Sequence, residues 1–67
     1  MTYTQILKND YAQHIIKTKK QKGWSDFDSK CYAFVNIIGY QNALGNKTTA
    51  TKIQKEYEKF CETGAKR

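Results

Sequence analysis

The chain has 67 residues, 12 basic against 6 acidic, for a formal net charge of +6. At this length it forms one domain at most and buries only about 60% of the surface it exposes unfolded. A membrane span is excluded because no apolar run approaches the roughly 20 residues one needs, and without a secretory h-region the expected location is the cytoplasm. Cys31 and Cys61 have no C-x-x-C and no His pair nearby, so no metal or other cofactor is implied and two free buried thiols are expected.

Proline is absent, so the chain must be punctuated by Gly23, Gly39, Gly45 and Gly64 and by polar caps. In the first segment Tyr3, Leu7, Tyr11, His14 and Ile15 recur at three- and four-residue spacing, with Ile6 flanking and Thr2 or Thr4 available as cap. This predicts one helix from about Thr4 to Lys22. His14 is the only histidine, and Asp10 sits one turn before it. A lone His on an apolar stripe is read as a packed residue rather than a catalyst.

The second segment opens on Ser25-Asp26-Phe27-Asp28, where Ser25 can accept from a first-turn N–H and the acids face the positive helix end. Phe27, Cys31, Phe34, Val35 and Ile38 then share a face, which favours helix over strand despite the β-forming run Cys31–Ile38. Gly39 or Gly45 ends it. The third segment starts after Gly45, with Asn46, Thr48 or Thr49 as cap. Its buried stripe is Ala50, Ile53, Tyr57, Phe60 and Cys61, ending near Glu62, and its exposed face mixes Lys52, Lys55, Glu56, Glu58, Lys59 and Glu62. Residues 1–63 are therefore expected to form a single all-α domain, a compact three-helix bundle, with 64–67 as a frayed basic tail.

No phosphate-loop glycine pattern, metalloprotease helix or nucleophile elbow occurs, so an enzyme is not expected. The Ile38–Ile53 region partly matches a helix-turn-helix, having Leu44 before Gly45 and Thr48, Thr49 and Lys52 at the following helix start. Where that motif places small and apolar residues, however, this chain has Gln41, Asn46, Thr51 and Gln54. The expectation is a plain helical hairpin with at most a degenerate helix-turn-helix.

Charge is unevenly placed: residues 1–22 carry five lysines and one acid, 23–46 one lysine and two acids, and 47–67 six bases and three acids. Such a field attracts nucleic acid or an acidic protein surface. The first expectation is a non-enzymatic accessory protein binding DNA or RNA mainly through phosphates. Lys17, Lys19, Lys20, Lys22, Lys47 and Lys52 would hold the phosphates, with Thr48 and Thr49 beside the contact. These lysines form one site only if the third helix brings Lys47, Lys52 and Arg67 to the same face as the first cluster. With a single arginine, contacts should position the backbone more than read bases.

The alternative is a protein of phage or mobile-element type that binds and inhibits a host protein or nucleoprotein complex, in the manner of anti-defence or anti-CRISPR proteins. Its support is compositional style, a Lys-, Asn- and Ile-rich miniature domain. Trp24, Tyr32 and Tyr40, which do not fit the core stripes, would be the partner anchors. The chain is expected to be a monomer, or a homodimer if Ile6, Ile16 and Ile37 leave an apolar flank open.

Overall fold

A computed structural model describes residues 2–65. These form four helices: α1 (Tyr3–Leu7), α2 (Asp10–Gln21), α3 (Asp26–Ala43) and α4 (Lys47–Ala65). The all-α class is as expected. The helix count is not, because the segment predicted as one helix from Thr4 to Lys22 is two.

The break has a local chemical cause. Thr2 and Gln5 form a reciprocal capping box that starts α1, and the helix then ends at Lys8. Asn9 takes an extended backbone conformation and its Oδ1 accepts from the Tyr11 N–H at 2.9 Å, starting a new helix. The Leu7 carbonyl is satisfied by the Gln13 side-chain amide. The bend lets Ile6 and Leu7 reach the core on one side while Ala12, Ile15 and Ile16 reach it from another. Tyr3 swings onto α4, its ring 5.6 Å from that of Phe60 and its N–H donating to Glu56 Oε1 at 3.0 Å. As a result Tyr11 and His14, expected on the buried stripe, are exposed.

The glycine stops fall where expected. At the end of α2 the Trp24 N–H bonds to the Lys19 carbonyl and the Gly23 N–H to that of Lys20, with Gly23 at φ +95°. At the end of α3 the Asn46 N–H bonds to the Gln41 carbonyl and the Gly45 N–H to that of Asn42, with Gly45 at φ +83°. Both are Schellman turns, which need a residue that tolerates the left-handed region. Gly39 does not stop α3, which runs on to Ala43. Ser25 caps α3 by accepting from the Asp28 N–H. Asn46 precedes α4, but its side chain donates to Gln41 Oε1, tying α4 to the end of α3.

Among the described residues, α3 packs against both α2 and α4, which do not touch each other, while α1 bridges the layer from one side. The molecule is correspondingly flat, 33 × 25 × 16 Å. Both neighbours of α3 run antiparallel to it. Tyr11 meets Tyr40 at one end of the α2–α3 pair and Lys20 meets Asp26 at the other. Tyr57 stacks on Phe34 and Phe60 on Phe27 along the α3–α4 pair. Phe34 is fully buried at the centre, between Tyr57 at 5.3 Å and Phe60 at 5.4 Å.

The α2–α3 contact depends on small residues. Ala12, Ser29 and Ala33 have no exposed surface, and the Ser29 hydroxyl is satisfied by the Ser25 carbonyl at 2.8 Å. Val35, expected in the core, is on the open side of α3. Ile6, Ile16 and Ile37 are buried, so they do not form the open apolar flank on which the homodimer alternative was based. Helix α4 continues through Gly64 to Ala65, where a frayed tail was expected; Lys66 and Arg67 lie outside the described residues. No described helix is long and apolar enough to cross a membrane.

Candidate functional site

The lysines expected to form one phosphate site are divided by the fold. Lys17, Lys19, Lys20 and Lys22 are at the C-terminal end of α2, beside the start of α3. Lys47, Thr48, Thr49 and Lys52 are at the start of α4, beside the end of α3. The 18 residues of α3, at 1.5 Å each, put about 27 Å between the two ends. The two clusters also sit on separate neighbours of α3, because α2 and α4 do not pack against each other. Arg67 is outside the described residues.

Within the first cluster the lysines do different things. Lys19 continues the buried face of α2, and its Nζ lies 5.1 Å from the centre of the Trp24 ring and 4.4 Å from that of Tyr32. The two rings meet edge to face at 5.4 Å. This cation–π arrangement closes the Schellman turn, so Lys19 and Trp24 help end the helix. Lys20 turns to the other side and pairs with Asp26 at 3.3 Å, and Lys30 pairs with the same carboxylate at 2.7 Å. Those two hydrogen bonds, that of Lys30 foremost, hold the Asp26 carboxyl below its usual range. Lys17 and Lys20 border a shallow groove with Gln13 and Ile16. Gln13 continues it toward a second groove that holds Lys8 and Lys30. Nothing in the sequence singles out Lys8 and Lys30, because only the fold joins α1 and α3 to the end of α2.

The exposed face of α4 is mixed, as expected, with Lys52 and Lys55 toward its start and Glu58, Lys59 and Glu62 toward its end. Thr48, Lys52, Lys55 and Lys59 follow at four-, three- and four-residue steps, on the side opposite buried Ala50 and Ile53. Glu56 is drawn out of this face by its bond to the Tyr3 N–H, and its other oxygen pairs with Lys59 at 3.2 Å. Among the described residues Lys8, Lys17, Lys22, Lys47, Lys52 and Lys55 enter no ion pair.

The expected partner anchors are exposed, Trp24 at 41%, Tyr32 at 38% and Tyr40 at 55%, but they do not form one surface. Trp24 and Tyr32 share a shallow groove with Val35 and Cys31. Tyr40 is at the other end of α3, where it meets Tyr11 at the mouth of a cleft of about 820 Å³. Its floor is Ile6, Ile37 and Ile53, and Thr49 is on its wall. The large volume between α1, α2, α3 and α4 follows from the break at Asn9, which no apolar period reveals.

Cys31 and Cys61 are free and half-buried rather than fully enclosed. They face each other across the α3–α4 contact beside the Tyr57 hydroxyl. Burial, then the neighbouring Cys61, pushes the Cys31 thiol up to about 11. Burial, then the hydrogen bond with Cys61, pushes the Tyr57 hydroxyl up to about 12. A thiol so raised is a poor nucleophile at neutral pH. No group of three or more His, Cys, Asp or Glu side chains capable of holding a metal occurs among the described residues, and exposed His14 is joined to Asp10 by no described bond. No protein-family model, curated protein or solved structure matches the chain.

Proposed function

We propose that the chain is a non-enzymatic protein that binds nucleic acid mainly through phosphates. Supporting this are the six lysines that no described carboxylate neutralises, most of them arranged on the outer faces of α2 and α4. An ammonium without an ion-pair partner gives up no protein contact when it meets a phosphate, so its charge is available for counterion release. Lys17, with Lys20, offers one contact face and Lys22 adds charge at the end of α2, while Lys47, Lys52 and Lys55 offer the other, with the Thr48 hydroxyl beside it. The α3–Gly45–α4 connection acts here as a helical hairpin that presents the start of α4 to phosphate, a degenerate form of the helix-turn-helix arrangement. With lysine in place of arginine, the backbone is positioned and the sequence read weakly.

Fluorescence anisotropy with labelled duplex and single strands across a salt series tests this. For about four neutralised phosphates the log–log slope should be about −3 to −4. Absent or salt-insensitive binding at low ionic strength would overturn it.

The second reading, inhibition of a host protein or nucleoprotein complex, is supported by the exposed Trp24, Tyr32 and Val35 around one groove. Exposed aromatic anchors of this kind serve protein interfaces. A partner retained from nuclease-treated lysate by the native chain, and lost with Trp24→Ala, would favour it over the first.

A further inference from the structure

The large cleft has a chemistry that the phosphate contacts do not explain. Its floor is aliphatic, Tyr11 and Tyr40 stand at its mouth with ring centres 6.1 Å apart, and none of the described residues lining it is charged. Three of its lining side chains are amides whose carbonyl oxygens are already engaged. Gln5 Oε1 accepts from the Thr2 N–H at 3.0 Å, Asn9 Oδ1 from the Tyr11 N–H at 2.9 Å, and Gln41 Oε1 from Asn46 Nδ2 at 3.0 Å. These bonds belong to the α1 cap, the α2 cap and the α3–α4 link, so the local structure fixes which way each amide is oriented. The NH₂ groups are left without a protein acceptor among the described residues. The cleft thus joins amide donors to an apolar floor and exposed aromatic faces, and its volume lies within the roughly 300–1,000 Å³ of small-molecule sites.

The ligand matching this set is uncharged, flat and rich in carbonyl acceptors. The geometry points to an unpaired base of the uracil or thymine type, taken from a single strand. Its two carbonyls meet amide donors, its ring N–H meets the Thr49 hydroxyl, and its faces meet Tyr11 or Tyr40. Unpaired bases offer their faces and edges in this way, whereas duplex bases are already stacked. Lys52, one turn after Thr49 on α4, is placed to take a phosphate of the same strand. This inference rests on the nucleic-acid reading and narrows it to a single-stranded, pyrimidine-bearing target.

The test is titration of ¹⁵N-labelled protein at low salt with oligo(dT), oligo(rU) and oligo(dA), following side-chain amide signals by NMR and affinity by anisotropy. The Gln5, Asn9 and Gln41 NH₂ signals should move with oligo(dT) and oligo(rU). If they move with oligo(dT) alone, the base site stands and the thymine methyl on the aliphatic floor is part of the recognition. Gln41→Glu keeps an oxygen for Asn46 Nδ2 but replaces the donor by a charged acceptor. It should weaken oligo(dT) binding about tenfold or more. Gln54→Glu, the same charge change on an exposed α4 residue that does not line the cleft, should weaken it only about two- to threefold. Equal affinity for oligo(dT) and oligo(dA) with unmoved amide signals would overturn the base site and leave the phosphate reading standing. Failure of every strand to bind would overturn both.

Discussion

Gly64→Ala sets two effects of known size against each other. Inside a helix, Ala is favoured over Gly by up to about 1 kcal/mol, and Gly64 lies in α4 one residue before its last described position. Propensity alone therefore predicts stabilisation. The structure predicts the reverse, because a β-carbon at Gly64 would lie 2.6 and 2.7 Å from Cδ1 and Cζ of Phe27, well inside contact distance. Phe27 cannot yield freely, since its ring stacks on Phe60 at 5.2 Å and an interplanar angle of 17°. Forcing a methyl into such packing costs about 1–3 kcal/mol. The propensity gain shrinks at a helix end, so the net expectation is a loss of about 1–2 kcal/mol, or roughly 4–15 °C in Tm for a domain of this size. Gly39→Ala is the matched control. Gly39 is exposed, has no positive φ, and leaves the place a β-carbon would take with nothing within 4 Å of it, so the substitution should gain about 0.5–1 kcal/mol. Urea and thermal unfolding of both variants, followed by circular dichroism at 222 nm, measure the difference. If Gly64→Ala stabilises as much as Gly39→Ala, the close α3–α4 contact at Phe27 is wrong.

Phe34→Ala should cost about 3–5 kcal/mol, because it empties the fully buried centre of the ring cluster; equilibrium urea unfolding should show this or only the unfolded chain. Stability should decline as pH rises above 9: the Cys31 thiol and Tyr57 hydroxyl keep their protons in the folded state up to about 11 and about 12 but lose them sooner when unfolded, from 9.0 and 10.0. The unfolded chain therefore binds fewer protons across that window and unfolding is favoured. Cys31→Ser should flatten the part between 9 and about 11, as pH-dependent urea midpoints will show. Lys52→Ala with Lys55→Ala, compared with Lys17→Ala with Lys22→Ala, should each make the salt slope of binding shallower by about 1 to 2 without changing Tm appreciably. An unchanged slope in both double variants would remove the phosphate role of these lysines.

The parts of the fold legible in the sequence are those set by local chemistry. Ser25 with Asp26 and Asp28, Gly23, Gly45 and the Ala50–Ile53–Tyr57–Phe60 stripe each act over one or two turns, and each is found where expected. Three features depend on tertiary partners. The break at Asn9 is hidden because the apolar period runs through it, while Gln13, which takes the Leu7 carbonyl, is polar and silent in such patterns. The α2–α3 contact is hidden because Ala12, Ser29 and Ala33 mark close helix approach by being small. The buried and open sides of α3 are hard to separate because a helix packed between two others is apolar on more than one side, which makes Val35 look like Phe34. The basic residues are legible as charge but not as a site, since their grouping depends on how α2 and α4 flank α3.

That flanking arrangement limits how a polyanion can engage the protein. The lysines on α2 and α4 are about an α3 length apart, roughly 27 Å, on two helices that do not pack against each other, so a ligand must span that distance to reach both. A flexible single strand can run from the α4 lysines to the α2 end, a path of at least the roughly 27 Å length of α3. The cleft with Tyr11, Tyr40 and Gln41 opens at the α4 end of that path, where an unstacked base would enter. On the proposed reading, the surplus lysines of the α2 end, beyond the one or two that complement a helix dipole, would bind phosphate at the far end of the same strand. A duplex that binds with the same slope and affinity as a single strand of equal length would contradict a base entering the cleft, because duplex bases are already stacked.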